Sequence, residues 1–140
     1  MTAAIELLGR TSSINVRKVL WTCAELDLAI EHDADWGAGF RSTRSPEFLA
    51  LNPAGLVPVL RHGGLVLSES NTICRYLAAL RSRDDLLSSA PAARAQVEQW
   101  MDWQATELNG AWRYAFMALV RHSADHRPGV GPWGSRRPRH

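Results

Sequence analysis

Residues 52–67 read Asn52-Pro53-Ala54-Gly55-Leu56-Val57-Pro58-Val59-Leu60-Arg61-His62-Gly63-Gly64-Leu65-Val66-Leu67. Asn-Pro and Ala-Gly mark a turn, which stops whatever precedes it. Two apolar runs follow, Leu56–Leu60 and Leu65–Leu67, each of strand length. Gly63-Gly64 between them is a hairpin signal, so the two strands are expected to be antiparallel. Pro58 stands near the start of the first, where its missing N–H needs a reason. One reading is the opening of an edge strand. The other is a cis Val57–Pro58 bond, which turns the Val57 amide outward to pair with an extended peptide ligand.

Upstream, Ile5-Glu6-Leu7 alternates as a short strand does. Arg10-Thr11-Ser12-Ser13 is a polar loop with good cap residues. Val16, Val19, Leu20, Cys23 and Leu26 then recur at helical spacing and mark one buried face. Ala29–His32 follows as a second strand, and strand, helix and strand within about thirty residues form a parallel βαβ unit. After a loop at 34–45, Ser45-Pro46-Glu47 is a cap with proline at the first helical position, opening a short helix through Leu51. Downstream of the hairpin, Ser70-Asn71 caps a helix whose inner face carries Ile73, Tyr76, Leu77 and Leu80. The order β-α-β-α-β-β-α is complete by about residue 81 and defines an α/β fold.

Residues 81–90 are polar and read as a linker. Pro91 opens a long helix to residue 121 with the stripe Val97, Met101, Leu108, Trp112, Ala115 and Leu119. With Trp100 and Phe116 added, this is more apolar surface than one helix covers alone. From His122 to His140 the periodicity is lost, and a disordered basic tail is expected there.

The 140 residues are 46% hydrophobic and 21% charged, which suits a globular chain and excludes collagen, coiled coil and wholesale disorder. No apolar run reaches membrane-spanning length and no signal peptide is visible, so the expected compartment is the cytoplasm. The net charge of +2 conceals a basic tail, with five arginines against Asp125 after residue 120, and a slightly acidic body. That distribution does not argue for a nucleic-acid partner. The two cysteines, Cys23 and Cys74, lie far apart on apolar helix faces with no CxxC and no clustered ligands. They read as core residues, and no metal site is expected.

Besides Val57–Pro58, two places carry chemistry. Ser12 and Ser13 stand at the start of the first helix, as caps or as donors that hold a bound thiolate beside the helix dipole. His32 and His62 are isolated, so no Ser-His-Asp arrangement makes either serine a nucleophile. Glu69-Ser70 lies at a strand-to-helix junction. Ser70 serves there as a cap, or the free amides attract a carboxylate while Glu69 pairs with an amino group, as an amino-acid end would require.

Ser13 before Val16-Arg17-Lys18-Val19-Leu20-Trp21, then Asn52–Leu60, then Ser68-Glu69-Ser70-Asn71-Thr72-Ile73 with Arg75-Tyr76-Leu77, resembles the glutathione S-transferase family of the serine type. The resemblance implies a thioredoxin-like glutathione-binding domain over residues 1–82. It also implies the first helix of an all-helical domain over 88–121, which ends in the tail 122–140 as if truncated. It implies that Ser13, with Ser12 as the alternative, activates the thiol of glutathione, which is a co-substrate and not a cofactor. Val57, beside a cis Pro58, would pair with the cysteinyl backbone, and Glu69 and Ser70 would hold the γ-glutamyl end. Leu56 occupies the position where many relatives carry Lys or Gln for the glycine carboxylate, so Arg41 or Arg44 is the expected substitute. The implied activity is conjugation of glutathione to a small electrophile by a homodimer. The alternative is an inactive glutathione-binding or protein-interaction module. Thiol–disulfide exchange by the chain's own cysteines ranks below both, because the first helix begins with serines.

Overall fold

The computed structural model describes residues 3–126. They divide into two units, one ending at Ser89 and the other beginning at Ala90.

The first unit contains strands β1 (Ile5–Leu8), β2 (Glu31–Asp33), β3 (Val59–His62) and β4 (Leu65–Ser68), with helices α1 (Ile14–Glu25), α2 (Pro46–Leu51) and α3 (Ser70–Leu80). The sheet order is β2-β1-β3-β4. β1 runs parallel to β2, and β3 is antiparallel to both β1 and β4. This is the thioredoxin-like arrangement, with the βαβ unit and the Gly63-Gly64 hairpin in the expected places.

Both faces of the sheet are covered. Leu8 and Val59 are paired neighbours, and they pack with Trp36 and Phe48 in one core cluster. The next pair, Leu7 and Leu60, points to the opposite face by the strand's two-residue alternation and is equally buried. Val16 and Val19 of α1 and Ile73 and Leu77 of α3 are also fully buried, and these two helices pack against each other.

Local capping follows the sequence at two helices and departs from it at a third. Ser13 caps α1 and Ser45 caps α2, each accepting from the amide three residues on, with Pro46 in the first turn of α2. At α3 the cap position belongs to Glu69, whose φ of 67° is left-handed and whose side chain makes no cap bond. Ser70 is therefore the first helical residue and not the cap that the sequence suggested.

Three boundaries also shift. β2 lies at Glu31–Asp33 instead of starting at Ala29. β3 begins at Val59 instead of Leu56, because Pro58 has no N–H to give the ladder. Leu80, expected on the inner face of α3, is 43% exposed in the helix's last turn.

The second unit is not one regular helix. α4 (Pro91–Trp103) runs into a π-helical turn (Gln104–Leu108) and then α5 (Asn109–Leu119). Thr106 Oγ1 donates back to the Asp102 carbonyl, and Gln104 Nε2 donates to Asn109 Oδ1 across this turn. The wider turn interrupts the 3.6-residue register on which the stripe from Val97 to Leu119 was read. α4 buries no residue completely, and Trp100 and Trp103 meet edge to face on its exposed side.

Residues 122–126, expected to begin the tail, fold back on α5. The Ser123 amide donates to the Met117 carbonyl, and the His126 and Tyr114 rings meet at a 56° tilt with centroids 4.8 Å apart. The rest of the expected tail, 127–140, lies outside the described residues. No helix among the described residues is long and apolar enough to cross a membrane.

Candidate active site

The site is built where β1 runs into α1. The Gly9 amide donates to the Asp33 carbonyl and the Arg10 amide to the Trp36 carbonyl, extending the parallel pairing past β1. His32 Nε2 lies 2.7 Å from the Gly9 carbonyl and fixes the turn from the neighbouring strand. Gly9 itself has φ +145°, and a Cβ there would stand 2.6 Å from Val16 Cγ2 and 2.9 Å from Val57 Cβ. Glycine is thus what lets the start of α1 and the Val57 segment close on this turn.

Ser13 ends the turn. Its hydroxyl oxygen accepts from the Val16 amide at 3.5 Å, a long bond that leaves the O–H proton unused. α1 has no acidic residue in its first turn, so the partial positive charge of its amino end is not neutralised there. Ser13 is half-buried, whereas Ser12 is exposed one residue outside the cap.

The Val57–Pro58 peptide is cis. Val57 lies just beyond the end of the β3 ladder, whose last paired residue on both sides is Val59. Asn52 organises the loop before it. Its side chain is buried, donates to the Leu56 carbonyl at 2.8 Å and accepts from the Ala54 amide at 3.2 Å. Leu56 is 60% exposed and offers an apolar side chain where a charge was sought.

The amino end of α3 is drawn to the amino end of α1. Ser70 Oγ donates to Asn15 Oδ1 at 3.4 Å, and Lys18 Nζ donates to Asn71 Oδ1 at 2.5 Å. Burial lowers the pKa of Lys18, while Cys74 and the nearby Glu69 carboxylate pull in the other direction. The structure thus brings the Ser13–Asn15 turn and the Glu69–Asn71 turn to one side of the sheet.

The arginines expected near the glycine end differ. Arg41 is committed: it pairs with Asp33 at 2.5 Å and lies over the Trp36 ring at 3.9 Å. Partial burial works against ionisation of Asp33, but bonds from Arg41, the Asp35 amide and Trp36 hold its carboxyl below the ordinary range. Arg44 is the arginine beside the Asn52–Val57 loop, with its guanidinium against Gly55.

The cysteines lie behind this site. Both are free and buried. Thr22 Oγ1 contacts Cys74 Sγ at 3.1 Å, and burial raises the thiol of Cys74. Burial pushes Cys23 up to about 11. Neither is a thiolate at neutral pH.

The sequence reading assigned no site role to Lys18, Asn52 or Asn71. Asn52 had a signal, because an asparagine before proline in a turn uses its side chain to close the loop. Lys18, the chain's one lysine, had a signal only in standing one position before the buried Val19.

A four-stranded thioredoxin-like sheet with a serine-capped first helix, a cis proline before β3 and an acidic residue before α3 defines the class as a thioredoxin-like α/β domain. The profile described as "Glutathione S-transferase, N-terminal domain" matches residues 7–84, and the chain belongs to that family. It is 46% identical over 125 residues to glutathione S-transferase GstB of Escherichia coli K12, covering 88% of this chain and 60% of that protein. It is also 42% identical over 76 residues to elongation factor 1-gamma 3 of Oryza sativa, spanning 18% of that longer protein. Among solved structures, the glutathione-bound theta class glutathione S-transferase of Xanthomonas axonopodis pv. citri superposes with a TM-score of 0.80 at 42% identity. That match covers 89% of this chain and 59% of the other. The chain therefore spans about three-fifths of the length of these transferases.

Proposed function

We propose that this chain binds glutathione and activates its thiol for conjugation to a small electrophile, with Ser13 as the activating residue. The observation that carries the reading is the Asn15–Ser70 bond, which sets the amino ends of α1 and α3 side by side. Two helix amino ends attract two anions, the thiolate at α1 and the γ-glutamyl carboxylate at α3. Glu69 then pairs with the γ-glutamyl α-ammonium, and the Val57 main chain at the sheet's rim pairs with the cysteinyl backbone. Arg44 takes the glycine carboxylate.

The chemistry asked of Ser13 is modest. A free thiol has a pKa of about 8.5, and lowering it by about two units requires roughly 2.7 kcal/mol of preference for the anion. One hydroxyl donor and a helix amino end suffice for that. The thiolate then attacks the electrophilic carbon of the second substrate. In this reading residues 1–82 form the glutathione domain and 88–121 begin a helical domain, in a cytoplasmic homodimer.

A thermal melt of the chain with and without millimolar glutathione tests the binding. Ligand at a hundred times its Kd stabilises by about 2.7 kcal/mol and moves the midpoint by several degrees. A cooperative melt with no shift overturns the proposal.

A further inference from the structure

We propose that Lys18 is a positioning residue of the glutathione site, holding the first turn of α3 so that the Glu69 carboxylate meets the α-ammonium of the γ-glutamyl group. The inference rests on the reading above and adds a residue and a selectivity to it.

Glu69 has φ 67°, a left-handed backbone that residues other than glycine, asparagine and aspartate adopt rarely. It lies at the cap position of α3 with no cap bond from its own side chain. Something else must fix it. The two residues after it are each held from α1: Ser70 by Asn15 and Asn71 by Lys18. Asn15 and Lys18 are three residues apart and share one face of α1, so they act as a two-point clamp. Asn71 is the second residue of α3, beyond the cap position, and its side-chain oxygen is engaged by the ammonium of Lys18.

Lys18 is half-buried, and a lysine that gives up water at an interhelical contact needs compensation. Asn71 supplies it through the hydrogen bond, and Cys74 and then Glu69 also work against the effect of burial. Thr22 Oγ1 donates to the Lys18 carbonyl one turn later. In the proposed arrangement Lys18 acts on the ligand through Asn71 and Glu69.

The consequence is selective. Loosening the clamp lets Glu69 leave its position, and only the contact with the α-ammonium depends on that carboxylate. The test is calorimetric binding of two peptides to the intact chain. One is glutathione, and the other is glutaryl-cysteinylglycine, which lacks the α-amino group. The unaltered chain is expected to prefer glutathione by about tenfold or more, the worth of one charge-assisted bond. Lys18→Met is expected to lose most of that preference by weakening glutathione more than the glutaryl peptide, which shares the carboxylate at the α3 amino end, and Lys18→Arg to retain it.

Equal weakening of both peptides in Lys18→Met would reduce Lys18 to a packing role and overturn the proposal. An unaltered chain that binds both peptides equally would also overturn it while leaving glutathione binding intact. A chain that binds neither removes the underlying reading together with this one. If Lys18→Met gives no cooperative melt, Asn71→Ala is judged by the same ratio.

Discussion

Ser70 Oγ donates to Asn15 Oδ1 at 3.4 Å, a bond between side chains 55 positions apart in sequence. It joins the first turns of two helices that leave different strands of one sheet. The amides left unsatisfied at each helix start are consequently brought near one another. In the proposed reading, an extended tripeptide with an anionic thiol at one point and an amino-acid end at another spans the two helix starts. This relation connects the fold to the proposed thiol chemistry, because neither helix start alone specifies a ligand.

Ser13→Ala separates thiol activation from binding. The hydroxyl's proton is not used by the cap bond, so removing it takes a donor from the thiolate and leaves the remaining contacts in place. Turnover with an electrophile is expected to fall on the order of a hundredfold, as when one donor to a developing anion is removed. The thiolate absorbance of bound glutathione should shift to higher pH, while the Kd changes little. The lost cap should also cost about 1 kcal/mol in urea denaturation. Ser12→Ala, outside the helix and exposed, should leave turnover, thiolate formation and stability unchanged; a loss confined to Ser12→Ala would transfer the role to it.

Gly9→Ala tests the close approach that assembles the site. Its Cβ would meet Val16 and Val57 side chains inside 3.0 Å at a φ of +145°. Both the strained backbone and the overlap oppose folding, so a loss of about 2 kcal/mol or more is expected in urea denaturation. Any folded protein recovered should bind glutathione more weakly, because Val57 must move. A variant as stable as the parent would show that this turn tolerates a side chain.

Most of the fold was legible in the sequence because its signals are local. Gly63-Gly64 announced the hairpin, Ser45-Pro46 announced α2, and the spacing from Val16 to Cys23 announced α1. The errors lie in polar contacts that apolar periodicity does not encode, some between elements and some within one helix. Ser70 looked like a cap because serine commonly is one, but Glu69 occupies that position with a left-handed backbone held from another helix. The helix expected to run unbroken to residue 121 contains a π turn whose side-chain bonds, Gln104 to Asn109 and Thr106 to Asp102, no apolar periodicity encodes. Arg41 and Arg44 were indistinguishable by position in a loop, and only the packing of Trp36 against Asp33 and Arg41 separates them.

The buried thiols predict a loss of stability in alkali. Cys23 is held protonated to about 11 against an ordinary 9.0, and Cys74 is raised as well, in both cases chiefly by burial. Above pH 9 the unfolded chain releases thiol protons that the folded chain retains, so the folded state binds more protons there and stability falls as pH rises. The contribution is complete below pH 9 and is lost progressively toward pH 11. Urea denaturation at several pH values from 7 to 11 should show the decline. Cys23→Ala should flatten it, even if the substitution lowers stability at every pH. An equal slope in that variant would assign the alkaline loss to other groups.

Arg44 and Arg41 make the last distinction. Arg41 is engaged by Asp33 and Trp36, whereas the Arg44 guanidinium lies against Gly55 in the loop leading to Val57. If Arg44 takes the glycine carboxylate in place of the residue that Leu56 cannot supply, Arg44→Ala should weaken glutathione binding by about tenfold, the worth of one charge-assisted contact. Binding of γ-glutamylcysteine, which lacks the glycine, should be unchanged in the same variant. Arg41→Ala should leave the preference of glutathione over γ-glutamylcysteine intact and lower the melting temperature, because the loss of Arg41 leaves the Asp33 carboxylate without its cation. The surface position of that pair keeps the effect near 1 kcal/mol. Should Arg41→Ala abolish the preference instead, the pair with Asp33 would have to open on binding, and the glycine end would lie over Trp36.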